Sequence, residues 1–180
     1  MTKFIAHRGS SKEAKQNTIA AFQRASKSDV YGVETDVRIT KDGVFVAFHD
    51  KSMARLSGRY RIIEKTDFKN VQKLKVFDRY KRHKIPTLLE FLQNCESSGK
   101  TAVIEIKSAL TKEQTDNLID VIASEGYLSK TIFISFKVVY PCLIIRLIWS
   151  IVIHSHLQIY SCRLSPLDLS QPHEPSLLSV

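Results

Sequence analysis

The chain has 180 residues, 43% of them hydrophobic, and 27 Lys+Arg against 18 Asp+Glu give it a net charge of +9. Length sets one domain as the expectation. The composition is that of a globular protein, which excludes a disordered tail, a collagen and a coiled-coil rod, and three cysteines (Cys95, Cys142, Cys162) are too few for a disulfide scaffold and match no paired metal spacing.

The first residues, MTKFIAHRGSSKEAK, contain no long apolar stretch, so no signal peptide is expected and the chain is read as cytoplasmic. Residues 3–7 are a short apolar run that ends at Arg8-Gly9. Residues 18–25 read as a helix with Ile19, Phe22 and Ala25 on one face and Asn17 or Thr18 as N-cap. Residues 33–39 alternate as a strand, Thr40-Lys41-Asp42-Gly43 is a turn, and residues 44–48 are a second strand, so a hairpin is expected. Within 67–74 (DFKNVQKL), Phe68, Val71 and Leu74 form the apolar stripe of a helix. Thr87-Leu88-Leu89-Glu90 and Thr111-Lys112-Glu113-Gln114 are capping boxes, opening helices through about Cys95 and to Gly126. Residues 101–106 and 131–136 are apolar strands. Strands and helices alternating at this spacing predict an α/β fold with a parallel sheet and βα crossovers.

The charge is local. Residues 51–84 hold 12 basic and 3 acidic groups, a net +9, while the rest of the chain is balanced. This basic excursion reads as a solvated face; it could also draw an anionic diester or a phospholipid surface, and its aromatics suit a nucleic-acid binder. Composition breaks near residue 137. The first 137 residues hold 17 Lys, 6 Gly and 1 Pro; residues 138–180 hold no Lys, no Gly and 4 Pro. Two parts are therefore expected: a body, 1–137, and an atypical tail, 138–180, of the kind a frameshift produces. Residues 138–153 (VVYPCLIIRLIWSIVI) carry Arg146 centrally. A spanning helix needs about 20 apolar residues and a central Arg costs roughly 3 kcal/mol, so no stable membrane span is expected. The segment reads as a closing element of the sheet or as an aggregation-prone stretch.

Polar groups gather at strand ends, where parallel sheets build their sites. His7 and Arg8 follow the first strand. Glu34 and Asp36 are two apart on a strand, so both carboxylates face one side. Such neighbours need a cation between them, and hard oxygen ligands suit Mg2+ or Ca2+. His49-Asp50 ends the hairpin, and a His titrates near neutral pH. Glu105 interrupts an apolar run, two residues before Lys107; unpaired it would be costly, so a metal, Lys107 or Arg8 is its expected partner. Taken singly, the dipeptides read as solvated turns and Glu34-x-Asp36 as the wetted side of a sheet. Together they suit phosphate and metal.

These residues resemble the opening signature of the glycerophosphodiester phosphodiesterases. The resemblance is carried by His7-Arg8-Gly9, Gln16-Asn17-Thr18 with Ala21-Phe22, Glu34-x-Asp36-Val37, Thr40-x-Asp42-Gly43 and His49-Asp50. Ile85-Pro86-Thr87-Leu88, Glu105-Ile106-Lys107 and Ile134-Ser135-Phe136 follow in order, so it spans about residues 3–137. It implies a (β/α)8 TIM-barrel-type fold that hydrolyses glycerophosphodiesters to glycerol 3-phosphate and an alcohol. It also implies one divalent cation, Mg2+ or Ca2+, held by Glu34, Asp36 and Glu105. His7 and His49 are implied as general acid and base, and Arg8 and Lys107 as phosphate binders. The implied partner is a small glycerophosphodiester, with no nucleic acid. Two departures stand out. Lys15-Gln16-Asn17-Thr18 replaces the usual Pro-Glu-Asn-Thr. Strands are placed only at 4–7, 33–37, 103–106 and 132–136, with 44–48 beside them, about the N-terminal half of a barrel that needs at least about 200 residues. A truncated, inactive relative is therefore the alternative reading, and an open sheet edge or the apolar tail is expected to drive self-association.

Overall fold

The computed structural model describes residues 2–78 and 81–135, so the expectations for 138–180, and for Phe136, lie outside the described residues. The central sheet is built from β1 (Ile5–Ala6), β2 (Gly32–Ile39), β6 (Thr101–Ile106) and β7 (Thr131–Ser135), all parallel in the order β1-β2-β6-β7. β3 (Phe45–Ala47) pairs antiparallel with the end of β2 across the Thr40–Gly43 turn, as the hairpin reading expects. The four parallel strands among the described residues are half the number in a (β/α)8 barrel.

Helices return the chain between strands. α1 (Ile19–Ser26) is capped by Thr18, whose hydroxyl accepts from the Ala21 N–H. α4 (Leu88–Ser98) and α5 (Lys112–Ser124) open on the two capping boxes, with Glu90 and Gln114 each accepting from the N-cap backbone. Their apolar faces cover one side of the sheet. Phe22, Phe91, Leu92, Cys95, Leu118 and Ile122 pack against Val33, Val37, Ile104 and Ile106. The Phe22 and Phe91 rings meet edge-on at 4.8 Å, and truncating either to Ala would cost about 3–5 kcal/mol. Ile5, Val103 and Ile132 form a separate cluster on the other sheet face. Strand alternation puts Glu34 and Asp36 of β2, and Glu105 of β6, on that second face. The wetted-sheet reading of Glu34-x-Asp36 fails, because all eight residues of β2 are buried.

The basic excursion folds around its own small core. Val46, Phe48, Met53, Leu56, Ile63, Val71, Val76 and Ile85 are buried together. It holds α2 (Ala54–Ser57), a 3-10 turn (Ile63–Lys65), α3 (Phe68–Val71) and a hairpin of β4 (Val76–Phe77) and β5 (Arg82–His83). The helix expected over 67–74 is thus corrected to four residues. Its stripe is right, since Phe68, Val71 and Leu74 all pack on this core. The helix stops because the next side chain, Gln72, donates to the Ile85 carbonyl at 2.7 Å, drawing the chain toward the hairpin. β1 is also shorter than expected, with His7 already in the following turn. No helix among the described residues is long and apolar enough to cross a membrane.

Candidate active site

The register of the parallel sheet sets the site. Asp36 of β2 lies directly beside Glu105 of β6, and Glu34 is one same-face position back. One oxygen from each of Glu34, Asp36 and Glu105 lies within 4.8 Å of the others, a separation one cation can bridge. Their relative exposures are 2%, 0% and 8%, so an uncompensated charge on any of them would be costly. Burial, and next the charge of Asp36, push the Glu34 carboxyl up to about 8. Its Oε1 is buried and has no hydrogen-bond partner. Three convergent carboxylates with an unused buried oxygen fit a hard divalent cation.

Two side chains of opposite sign border the triad. Arg8 places Nε 2.9 Å from Asp36 Oδ2, and its backbone N–H donates to Glu34 Oε2 at 2.8 Å. Lys107 sits 3.3 Å from Asp36 Oδ1 and also pairs with Glu105, so one of the partners expected for Glu105 is in place beside it. Arg8 is at φ +59°, a left-handed conformation that a non-glycine residue adopts at some cost. The turn is held from both ends. Asn17 N–H donates to the Arg8 carbonyl at 3.1 Å, and Ser10 N–H to the Ala21 carbonyl at 2.9 Å. Gly9, at φ +75°, passes so close to α1 that a Cβ there would meet the Ala21 backbone at 2.6 Å.

His7 lies 3.8 Å from Glu34 Oε2 and is partly exposed. Burial, then the charge of Arg8, lower its pKa, which keeps the ring neutral at pH 7. His49 Nδ1 is 2.7 Å from Asp50 Oδ1, while Asp50 Oδ2 accepts from Arg55 Nε at 2.6 Å. The Arg55 hydrogen bond is the main cause holding the Asp50 carboxyl below its ordinary range. Asp50 therefore stays ionised and orients the His49 ring. His49 and Lys107 also line a cavity of about 800 Å³ that opens beside the triad.

All seven residues singled out from the sequence lie at this one end of the sheet. Others were missed. Asn17, a helix cap and part of the family signature in the sequence, has no site role predicted from it, yet its side chain donates to Asp36 Oδ2 at 2.8 Å and accepts from Thr35 Oγ1 at 2.9 Å, fully inside. Arg38 forks onto the His49 carbonyl through Nε at 2.9 Å and Nη2 at 2.7 Å. Glu64 accepts from Arg38 Nη1 at 2.6 Å and from the Ser108 hydroxyl at 2.8 Å. Only the E-x-D alternation hinted at Arg38, the next residue on the same face.

Fold and site define an α/β-barrel class of protein with an acidic cluster that could hold a cation and two histidines at the C-terminal ends of its strands. The chain belongs to the Glycerophosphoryl diester phosphodiesterase family, whose profile matches residues 7–129. It is similar to a glycerophosphodiester phosphodiesterase of Caldanaerobacter subterraneus subsp. tengcongensis, 33% identical over 142 residues, covering 76% of this chain and 58% of the relative. Human glycerophosphodiester phosphodiesterase 1 is 36% identical over 110 residues, 57% of this chain and 33% of the human protein. The chain thus spans from a third to somewhat over half of these relatives. Among solved structures, an Oleispira antarctica phosphodiesterase in complex with the product sn-glycerol-3-phosphate superposes with a TM-score of 0.70 at 26% identity, covering 88% of this chain and 65% of that one. A glycerophosphodiester phosphodiesterase from Agrobacterium tumefaciens shares the fold with a TM-score of 0.70 at 23% identity, covering 89% and 66%.

Proposed function

We propose that the chain carries the metal-dependent site that hydrolyses glycerophosphodiesters to glycerol 3-phosphate and an alcohol. The observation that carries this reading is the buried triad Glu34, Asp36 and Glu105 set among His7, His49, Arg8 and Lys107. Glu34, Asp36 and Glu105 would hold one divalent cation, Mg2+ or Ca2+. When bound, that cation neutralises the diester and polarises phosphorus toward attack. Arg8 and Lys107, already at the rim of the triad, exchange carboxylate contacts for phosphate oxygens. His7, neutral at pH 7, takes the proton of the attacking hydroxyl, either water, which gives glycerol 3-phosphate directly, or the substrate's own glycerol, which gives a cyclic phosphate that a water molecule must then open to glycerol 3-phosphate. His49 donates a proton to the alcohol oxygen as the phosphorus–oxygen bond to the leaving group breaks. Asp50 pairs with the His49 imidazolium before that transfer and holds the ring's tautomer. Arg38 fixes His49 through its backbone.

Release of glycerol 3-phosphate from glycerophosphocholine, with Mg2+ or Ca2+ added, tests the reading; Glu34→Ala and His7→Ala should abolish it. Absence of cation-dependent turnover, or turnover unchanged in both variants, overturns it. A second reading, a relative that binds cation and phosphate without turnover, is favoured by the four parallel strands among the described residues. It predicts calorimetric binding of cation and glycerol 3-phosphate with no product formed.

Three further elements belong to this reading. The domain body is 1–137, and 138–180 is an atypical tail whose composition is of the kind a frameshift produces. The setting is cytoplasmic. The chain self-associates through the tail or a sheet edge, β1 and β7 being the outer strands among the described residues. A compact monomer in size-exclusion chromatography would count against the last.

A further inference from the structure

The cavity beside the triad has a charge balance that the hydrolytic site alone does not require. Its volume, about 800 Å³, is that of a small-molecule site. Two carboxylates line it, and both are committed. Asp50 is held by His49 and Arg55 at 2.7 and 2.6 Å, and Glu64 by Arg38 at 2.6 Å. Of the lining cations, Arg38 is spent on Glu64 and the His49 carbonyl, and Lys107 on Asp36 and Glu105. Two cations remain. Lys51 follows directly on His49-Asp50, and Lys65 closes the 3-10 turn that carries Glu64. Both are exposed, and neither ammonium forms an ion pair among the described residues. Ser108 and Ala109 follow Lys107 in the lining, and Ile62 adds an apolar side chain to it.

We infer that this cavity is the subsite for the leaving alcohol and that it selects diesters whose alcohol carries a second phosphate. This rests on the hydrolytic reading above, which places the first phosphate at Arg8, Lys107 and the triad. His49 and Lys107 both line the cavity, so an alcohol leaving toward His49 enters it. There it meets two ammonium groups, those of Lys51 and Lys65, that form no ion pair among the described residues. A quaternary ammonium alcohol would face like charge there, while a second phosphate would replace the missing anion. The lysines line a concave wall, which suits a small dianionic ligand better than an extended anionic surface.

The test is equilibrium binding by calorimetry to the full chain with Ca2+ present. The probes are sn-glycerol 3-phosphate and 1,3-propanediol bisphosphate, which contains no diester to cleave. Wild-type protein should bind the bisphosphate about tenfold more tightly, the scale of two exposed charge contacts. The ratio should shrink as salt rises from 50 to 300 mM. In Lys51→Gln/Lys65→Gln it should fall to near one. A wild-type ratio near one, or a ratio preserved in the double variant, overturns the subsite. Bisphosphate binding that depends on the two lysines, without any glycerol 3-phosphate binding, would sink the hydrolytic reading while leaving the cationic subsite standing. Binding of neither probe overturns both. Vesicles of anionic phospholipid binding more tightly than the bisphosphate, through the same lysines, would replace the small-molecule subsite with a membrane contact.

Discussion

The Asn17 side-chain amide donates to the Asp36 carboxylate at 2.8 Å in a position closed to water. The same amide accepts from Thr35, so one side chain from the loop before α1 fixes two consecutive residues of β2. Its backbone, at φ +53°, donates to the Arg8 carbonyl, tying together the two non-glycine residues of positive φ among those described. Asn tolerates this conformation better than most residues.

Asn17→Ala should therefore be costly. It leaves a buried carboxylate oxygen and a buried hydroxyl with fewer partners, worth about 1–3 kcal/mol, and adds strain at positive φ. Asn17→Gly relieves the strain but not the lost hydrogen bonds, so it should recover only part of the stability. Urea denaturation of the three proteins measures this, and a cation titration should show weaker binding in both variants because Asp36 is no longer held. Full stability in Asn17→Ala would mean that the hydrogen bond contributes nothing.

The pH dependence of the cation-free protein should report Glu34. Its carboxyl is raised from an ordinary 4.5 to about 8 by burial and by Asp36. Between those values the folded chain keeps a proton that the unfolded chain has lost, so stability falls as pH rises. His7 acts oppositely below its ordinary value of 6.5, where the unfolded chain protonates more readily. The clean window is thus pH 6.5 to 8, with a slope of at most about 1.4 kcal/mol per pH unit. Melting temperatures in EDTA should fall across this window, and Glu34→Gln should flatten the fall. Added Ca2+ should raise the melting temperature more at pH 8 than at pH 6.5, since the cation competes with the proton. A rising profile over this window would exclude a protonated Glu34.

Arg38 is a positioning residue for His49. Its fork on the His49 carbonyl needs two donors in one plane, and Glu64 holds the third nitrogen. Lysine keeps the charge but cannot make the fork. Arg38→Lys should lower kcat for glycerophosphocholine by about 10- to 100-fold, since a misplacement near 1 Å has that effect, while KM changes little. Equal losses in kcat and in cation affinity would point to a general structural role instead.

Legibility followed the range of each interaction. The capping boxes at Thr87 and Thr111 span three residues, so they could be read directly and formed as written. Glu34 and Asp36 share a face because strand geometry has a period of two, and Glu105 announced itself as a charge in an apolar run. Arg38, Glu64 and Ser108 could not be found that way. Their contacts join residues 26 and 44 apart, across an excursion whose local pattern says nothing about β2. The overlong helix at 67–74 failed for the same reason. Phe68, Val71 and Leu74 have helical spacing, but a bond from Gln72 to Ile85 decides where the chain turns.

Gln16 offers a change that should improve the site. Its Oε1 is 3.4 Å from Arg8 Nη1, and its Nε2 is buried without a hydrogen-bond partner. The amide thus offers only a long contact from its oxygen to a guanidinium that is itself occupied with Asp36, and leaves its own donor unused. Gln16→Glu removes that donor and gives Arg8 a second carboxylate. Replacing an unsatisfied buried donor by a charge-assisted contact should stabilise the fold by about 1 kcal/mol. Drawing Arg8 partly away from Asp36 leaves the triad more negative, so cation affinity should rise several-fold. Calorimetric titration with Ca2+ and urea denaturation measure the two effects separately. Affinity that stays level or falls would mean that Arg8 remains on Asp36 whatever stands at position 16, and that the amide there is no handicap to the site.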